Sequence, residues 1–261
     1  MITAVVFSKD RACQLDLLLT SLERNGSGMF DVAVVYLPTT VDHLHGYWLC
    51  QSRFPGVRFL LDENDRVHLA ANVFTDGHDY ACFFTDDSVL YRKVIPSIFF
   101  GSKGLCFSLR LGENTTWCYP YARTQERPRF IKGRTVRAWE WPGADGDFGY
   151  PASVDGHVFR SGDLVTALNS CPERVNPNQI EEHLVKHFQN DTRTVMTSYP
   201  QSCLVGIPAN IVTDTHRNRH AHGPTPDDLC ASYLSGKRLD LDAMDFTDVR
   251  GAHQDIELVL A

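Results

Sequence analysis

The chain has 261 residues, with 25 Lys and Arg against 32 Asp and Glu, for a formal net charge of −7. That acidic balance excludes a broad electrostatic footprint for nucleic acid, and no apolar run reaches the roughly 20 residues of a membrane span. The start, Met1-Ile2-Thr3-Ala4-Val5-Val6-Phe7, lacks the basic opening and apolar length of a signal peptide, so the expected address is the cytoplasm. Eight cysteines, at 13, 50, 82, 106, 118, 171, 203 and 230, include no C-x-x-C pair. They are expected to be reduced, core-filling thiols rather than a zinc site.

Residues 4–7 are apolar and run into Ser8-Lys9-Asp10-Arg11, after which Leu15, Leu18, Leu19 and Leu22 recur at helical spacing. The pattern predicts strand, polar loop and helix. Residues 31–37 read as a second strand, 41–54 as a helix and 57–61 as a third strand ending at Asp62-Glu63-Asn64-Asp65. A helix is expected over 66–74 and a fourth strand over 80–84, which halts abruptly at Thr85-Asp86-Asp87-Ser88. Strands alternating with helices imply βαβ units, a mainly parallel sheet and right-handed crossovers. Ligands of such sheets sit beyond the carboxyl ends of the strands, where these polar groups collect on one rim.

The acidic pair has two readings. Two carboxylates at the edge of an apolar core repel each other and lose hydration, so a bound magnesium or manganese ion is a natural partner. Asp-Asp-Ser is also good turn and N-cap chemistry. No G-x-G-x-x-G follows the first strand and no G-x-x-x-x-G-K-S/T occurs, so neither a dinucleotide fingerprint nor a P-loop holds phosphate.

Residues 105–160 are rich in Trp, Tyr, Pro and Gly, and Phe107 to Asn114 reads as a strand and turn. The run from Trp139 to Pro151 interleaves aromatics with Asp145 and Asp147, which suits a sugar-stacking platform or, equally, a set of buried structural aromatics. Beyond Asp155-Gly156-His157, helices are expected from Ser161 to Leu168 and from Asn176 to Phe188, with Glu181 and Glu182 in the first turn of the latter. The tail carries Asn210, Asp214, His216, Asn218, Arg219, His220 and His222, able to meet phosphate or metal, although loop histidines are more often merely solvated. Tyr233 to Leu241 reads as a helix end and connection, and 252–260, with His253, as a final strand-like piece. No repeat or linker divides the chain, so its halves are expected to share one core.

Together these segments resemble the nucleotide-sugar-dependent glycosyltransferases of the GT-A fold, family 2-like. The resemblance rests on Val5-Val6-Phe7-Ser8-Lys9-Asp10-Arg11 before an amphipathic helix, on Phe83-Phe84-Thr85-Asp86-Asp87-Ser88 as a variant D-x-D region, and on Gly149-Tyr150-Pro151 and Asp155-Gly156. It is strong over 1–95 and loose after 105, and Thr85 and Ser88 stand where many members carry a further Asp. It implies one α/β, GT-A-like domain: a mainly parallel central sheet with helices on both faces and a mixed, acceptor-side second half. Residues 1–95 would bind the nucleotide sugar, and 96–261 would form the acceptor half and tail.

The implied activity is metal-dependent, inverting transfer of a hexosyl or related sugar from a nucleotide diphosphate sugar, a UDP-sugar foremost, to a hydroxyl on a glycan or small molecule. Ser8, Lys9, Asp10 and Arg11 would border the nucleotide, with Asp62 near the base and Asp86 at the ribose or metal shell. Asp87 would ligate Mn2+ or Mg2+, with His222 as a further ligand. Glu181 would deprotonate the acceptor, Glu182 standing behind it, with Asp155 or Asp147 as alternatives. The metal's charge would stabilise the departing diphosphate. Two other readings stay open: a nucleotidyltransferase, for which Ser8 to Arg11 lacks the glycines of a phosphate loop, and a non-catalytic binding protein on the same fold.

Overall fold

The computed structural model describes residues 1–95, 104–212, 219–221 and 223–261. Its first part alternates as expected: β1 (Ile2–Lys9), α1 (Ala12–Asn25), β2 (Phe30–Leu37), α2 (Val41–Arg53), β3 (Arg58–Leu61), α3 (Arg66–Thr75) and β4 (Tyr80–Thr85). The remainder is made of shorter strands. It comprises β5 (Ser88–Leu90), β6 (Gly104–Ser108), β7 (Trp117–Cys118), β8 (Arg123–Thr124), β9 (Ile131–Lys132), β10 (Arg137–Glu140) and β11 (His157–Arg160). Helices α4 (Ser161–Leu168) and α5 (Pro177–Phe188) follow, then β12 (Val195–Ser198), β13 (Leu204–Gly206) and α6 (Pro226–Leu234).

Among the described residues one nine-stranded sheet runs β3-β2-β1-β4-β11-β6-β12-β10-β9, so strands of both halves form a single layer. β1 to β4 are mutually parallel, and β12 is parallel to β6. β11 runs against β4 and β6, and β10 runs against β12 and β9, so these two oppose the direction shared by the rest. The sheet is therefore mostly parallel, with helices on both faces.

Strands covered on both faces read as continuous apolar runs, and their side chains still alternate between faces. Ala4 and Val6, Val32 and Val34, and Cys82 and Phe84 pack with α1, α2 and α6. Val5 and Phe7, Ala33 and Val35, and Ala81 and Phe83 pack with α3, α4 and α5. Register fixes the site: Phe7 pairs with Thr85, and the Asp86 amide donates to the Phe7 carbonyl at 3.2 Å, which sets Ser8 beside Asp86.

Some expectations change. The aromatic run is core: Trp139 and Trp141 are buried, their indole N–H groups donating to the carbonyls of Phe148 and Arg193, each at 3.0 Å, and Phe148 packs edge-on against Trp139. A sugar platform is thereby ruled out for these two residues. Residues 252–260 form no strand; they make isolated bridges such as Gly206 with His253 and Leu239 with Leu260. Glu181 and Glu182 fall in the second turn of α5, because a capping box of Asn176 with Gln179 and Pro177 at the first helical position start the helix there. All eight cysteines are free and seven are buried, in keeping with core-filling thiols. Among the described residues no helix is long and apolar enough to cross a membrane.

Phe83 sits at the centre of the second layer, stacked on Phe7 at 5.3 Å and edge-on to Phe74 at 4.9 Å. Phe83→Ala is expected to destabilise the protein by about 3–5 kcal/mol in denaturant titration; a loss below about 1 kcal/mol would place this residue outside the core. His157, on β11, is buried with neither ring nitrogen hydrogen-bonded, and burial, reinforced by Arg110, pushes its pKa down to about 3. A histidine held neutral in the fold contributes full stability above its unfolded value near 6.5 and loses it as pH falls from there toward 3. His157→Phe is therefore expected to remove about 2 kcal/mol of the stability lost between pH 7 and pH 5. Urea midpoints at both pH values test this, and parallel acid sensitivity in the two proteins would contradict it.

Candidate functional site

Beyond the ends of β1 and β4 an ion cluster occupies the rim. Asp86 Oδ2 accepts from Ser8 Oγ at 2.9 Å and from the Lys9 amide at 3.1 Å, while Oδ1 accepts from Arg11 Nη1 at 3.0 Å. The same Arg11 nitrogen donates to Asp87 Oδ2 at 3.1 Å. Arg11 Nε donates to Asn210 Oδ1 at 2.8 Å, and Nη2 donates to the Asn210 carbonyl. Below them Tyr47, from α2, shares a 2.7 Å hydrogen bond with Ser8 Oγ and accepts from the Arg11 amide at 3.3 Å.

The electrostatics follow from burial. Desolvation alone would lower the Arg11 pKa, yet Asp86 and Asp87 beside it raise it above the usual value. Burial pushes Asp86 up to about 6, Arg11 opposing and Asp87 adding to the rise. The premise that this acid pair lacks a partner is corrected here: its partner is a guanidinium supplied by the loop after β1.

The cluster forms one wall of a cavity of about 670 Å3, within the size range of small-molecule sites. Ser8, Lys9, Arg11, Asp86 and Asp87 line that wall, and Asp62 and Arg66 continue it beyond β3. Asp62 holds its own loop, Oδ1 accepting from the amides of Asn64 and Asp65 at 3.0 and 3.2 Å, with Oδ2 2.6 Å from Arg66. Lys9 Nζ donates to the Val212 carbonyl at 2.8 Å. Arg219 lies over the Tyr119 ring at 4.5 Å and donates to the Tyr119 carbonyl at 3.3 Å.

The same lining holds the expected catalytic carboxylates. Glu181 Oε1 accepts from the Tyr150 hydroxyl at 3.0 Å, and Oε2 accepts from Ser153 Oγ at 3.0 Å and the Val154 amide at 2.9 Å. All of its donors are neutral, and Glu182 lines the cavity beside it. Asp155 is more committed. Its Oδ1 accepts from Ser88 Oγ at 2.6 Å, and Oδ2 lies 3.2 Å from both Arg110 Nη1 and His253 Nε2. Burial would raise the Asp155 pKa, but Arg110 and His253 outweigh it and hold the carboxyl well below the usual range. An acid so paired is a poor proton acceptor, so Asp155 positions its neighbours instead. His253 fits because residue 206 is glycine; a Cβ there would lie 2.3 Å from the imidazole ring.

Ser8, Lys9, Arg11, Asp62, Asp86, Asp87, Asp155 and Glu181 thus converge on one cavity, as the sequence leads one to expect. Asp10 does not. Its backbone is left-handed (φ 57°), a conformation Asp tolerates, and its carboxylate turns to the amide and hydroxyl of Thr39 at 2.7 and 2.8 Å. Asp147 is outside the lining as well, accepting from Gln125 at 3.0 Å and lying 3.6 Å from Arg110. His222 lies outside the described residues, with Asp214, His216 and Asn218. The sequence reading missed the roles of Arg110, Tyr47 and Tyr150. Arg110 carried a signal, since a charge inside Phe107-Ser108-Leu109-Arg110-Leu111 demands a buried carboxylate.

A divalent ion finds a poor donor set here. Among the described residues no three His, Cys, Asp or Glu side chains gather to hold a metal. Both Asp86 oxygens are engaged and Asp87 Oδ2 is held by Arg11, which leaves the pair Asp87 Oδ1 alone.

No family model and no curated protein matches the chain. Among solved structures it is similar to S. aureus TarS, with 13% identity over 76% of this chain and 35% of that one, at a TM-score of 0.49. It is similar also to S. aureus TarS 1-349 in complex with UDP, with 12% identity, 77% and 58% coverage and a TM-score of 0.49. The complex of TarS 1-349 with UDP-GlcNAc gives 12% identity, 77% and 56% coverage and a TM-score of 0.47. The chain spans between about a third and three fifths of the length of these proteins.

Proposed function

We propose that the protein is a glycosyltransferase of the GT-A type that moves a sugar from a nucleotide diphosphate sugar to a hydroxyl acceptor, inverting the anomeric centre. One observation carries the reading: a single cavity joins the carboxyl ends of β1, β3 and β4 to a carboxylate held by neutral donors, Glu181. The nucleotide would lie along the sheet rim, its base toward Asp62 and Arg66 and its ribose toward Ser8 and Asp86. Lys9 and Arg219 would face the diphosphate. A uridine diphosphate sugar is the donor to test first. The eight free thiols accord with a reducing, cytoplasmic compartment.

In this scheme Glu181 takes the proton of the acceptor hydroxyl as its oxygen attacks the anomeric carbon, and the bond to the diphosphate breaks on the other face. Tyr150, Ser153 and the Val154 amide hold the Glu181 carboxylate in place without neutralising it by a cation. A preorganised base of this kind contributes about 10²- to 10⁴-fold to rate. The divalent ion expected from the sequence supplies no step here, because Arg11 already occupies the acid pair and the pair keeps only Asp87 Oδ1 without a partner among the described residues.

Glu181→Gln is expected to lower kcat by about 10²- to 10⁴-fold while donor affinity stays unchanged in calorimetry. Turnover is read as release of nucleoside diphosphate from a panel of nucleotide sugars and hydroxyl acceptors. Wild-type turnover in this variant would remove Glu181 from the chemistry, and pyrophosphate as the product would replace glycosyl transfer with nucleotidyl transfer.

A further inference from the structure

We infer that Arg11 stands where a divalent ion would otherwise be needed, so that the nucleotide diphosphate binds this site without metal and its charge is met by Lys9 and Arg219. The inference rests on the transfer proposed above and departs from the metal dependence expected from the sequence.

The position of Arg11 is the first observation. One guanidinium nitrogen lies 3.0 and 3.1 Å from the two rim acids, the place from which a cation would bridge them. Nor is this a mobile arm. Nε and Nη2 are both spent on Asn210, the backbone amide is held by Tyr47, and the residue is 8% exposed. An ion approaching Asp87 would have to break a charge-assisted hydrogen bond or take up a position beside a fixed positive charge.

The second observation is what remains uncompensated. Arg11 with Asp86 and Asp87 sums to a single negative charge. Lys9 Nζ donates to a carbonyl, and Arg219 meets a carbonyl and an aromatic face; neither has a carboxylate partner among the described residues. Both line the same cavity as the acids, so Lys9, Arg11 and Arg219 together outweigh Asp86 and Asp87 by one positive charge. Two uncompensated cations suit a diphosphate, which carries at least two negative charges, and they suit it more as a leaving group, when further charge develops on its oxygens. Lys is a common point-charge partner of phosphate and Arg a bidentate one.

Binding of uridine diphosphate and a panel of other nucleoside diphosphates, measured by calorimetry and thermal shift, tests this on protein dialysed against EDTA and on the same protein with manganese added. The expected result is binding of equal affinity in both conditions, no thermal shift with manganese alone, and about tenfold weaker binding for Lys9→Met and for Arg219→Met that manganese does not restore. Lys9 and Arg219 are not buried, so these variants keep the fold. Arg11→Gln, which strands the buried Asp86 and the partly buried Asp87 and can unfold the protein, serves only as a supporting arm. Binding that appears only with manganese would overturn the inference and leave glycosyl transfer standing. Absence of nucleotide binding in both conditions, in folded protein, would remove the proposed transfer and this inference together.

Discussion

The guanidinium of Arg11 ties together three parts of the chain that are remote in sequence: the loop after β1, the end of β4 at Asp86 and Asp87, and Asn210 of the second half, 199 residues away. Burying such a cluster is not a route to stability in itself. The desolvation of each ion offsets most of the attraction, and an apolar replacement of equal volume is commonly neutral or stabilising. Removing one member is another matter, because it strands a buried charge at a cost of about 3–5 kcal/mol. The cluster therefore acts as a geometric constraint. It can close only when β1 and β4 are in register and the tail lies across the rim, and Tyr47 makes the packing of α2 part of the same condition.

A second buried cluster does the same work around Asp155. Arg110, from the loop after β6, lies between Asp155 and Asp147 and donates to Ser153 Oγ at 2.6 Å, while His253 reaches Asp155 from the C-terminal segment. Ser153 passes the constraint on to Glu181. This explains how residues 252–260 are held without forming a strand. Gly206 donates to the Ala252 carbonyl at 2.9 Å, Gln254 donates to the Gly206 carbonyl at 3.0 Å, and the imidazole fills the space a side chain at 206 would need. Isolated backbone bridges and the His253–Asp155 contact, rather than a continuous ladder, place the tail against the cavity.

What could be read from the sequence follows from the range over which each feature is determined. The first four strands and three helices are legible because each is a local apolar run or a helical stripe bounded by polar residues, and their ends lie within three residues of the expected ones. The rim was legible for the same reason, since the parallel order β3-β2-β1-β4 brings the polar ends together. The second half resists such reading. Its strands are two to five residues long, and β11 enters between β4 and β6 against their direction, a pairing no local pattern encodes. At the site the errors are of the same kind. Asp10 sits in the right loop, but a left-handed backbone points it at Thr39. The acid pair looked unpartnered because its cation is fixed by a residue 199 positions on.

Taken as one electrostatic object, the cavity is polarised. At the ends of β1 and β4 Arg11 cancels one of the two acid charges, and Lys9 and Arg219, which meet carbonyls and an aromatic face, more than offset the other. Around Asp155, Arg110 meets the charge and His253 lies 3.2 Å from the carboxylate, while Glu181 accepts only from neutral donors. Each buried ion cluster thus offsets part of the charge of the acids that anchor the architecture, and Lys9, Arg219 and Glu181 stand beside them in the cavity lining. In the proposed transfer, an anion released toward Lys9 and Arg219 and a proton released toward Glu181 would each end beside an opposite charge. Because the field comes from fixed groups, it requires no reorganisation at the moment of reaction, which is the form of stabilisation that lowers a barrier rather than merely tightening binding.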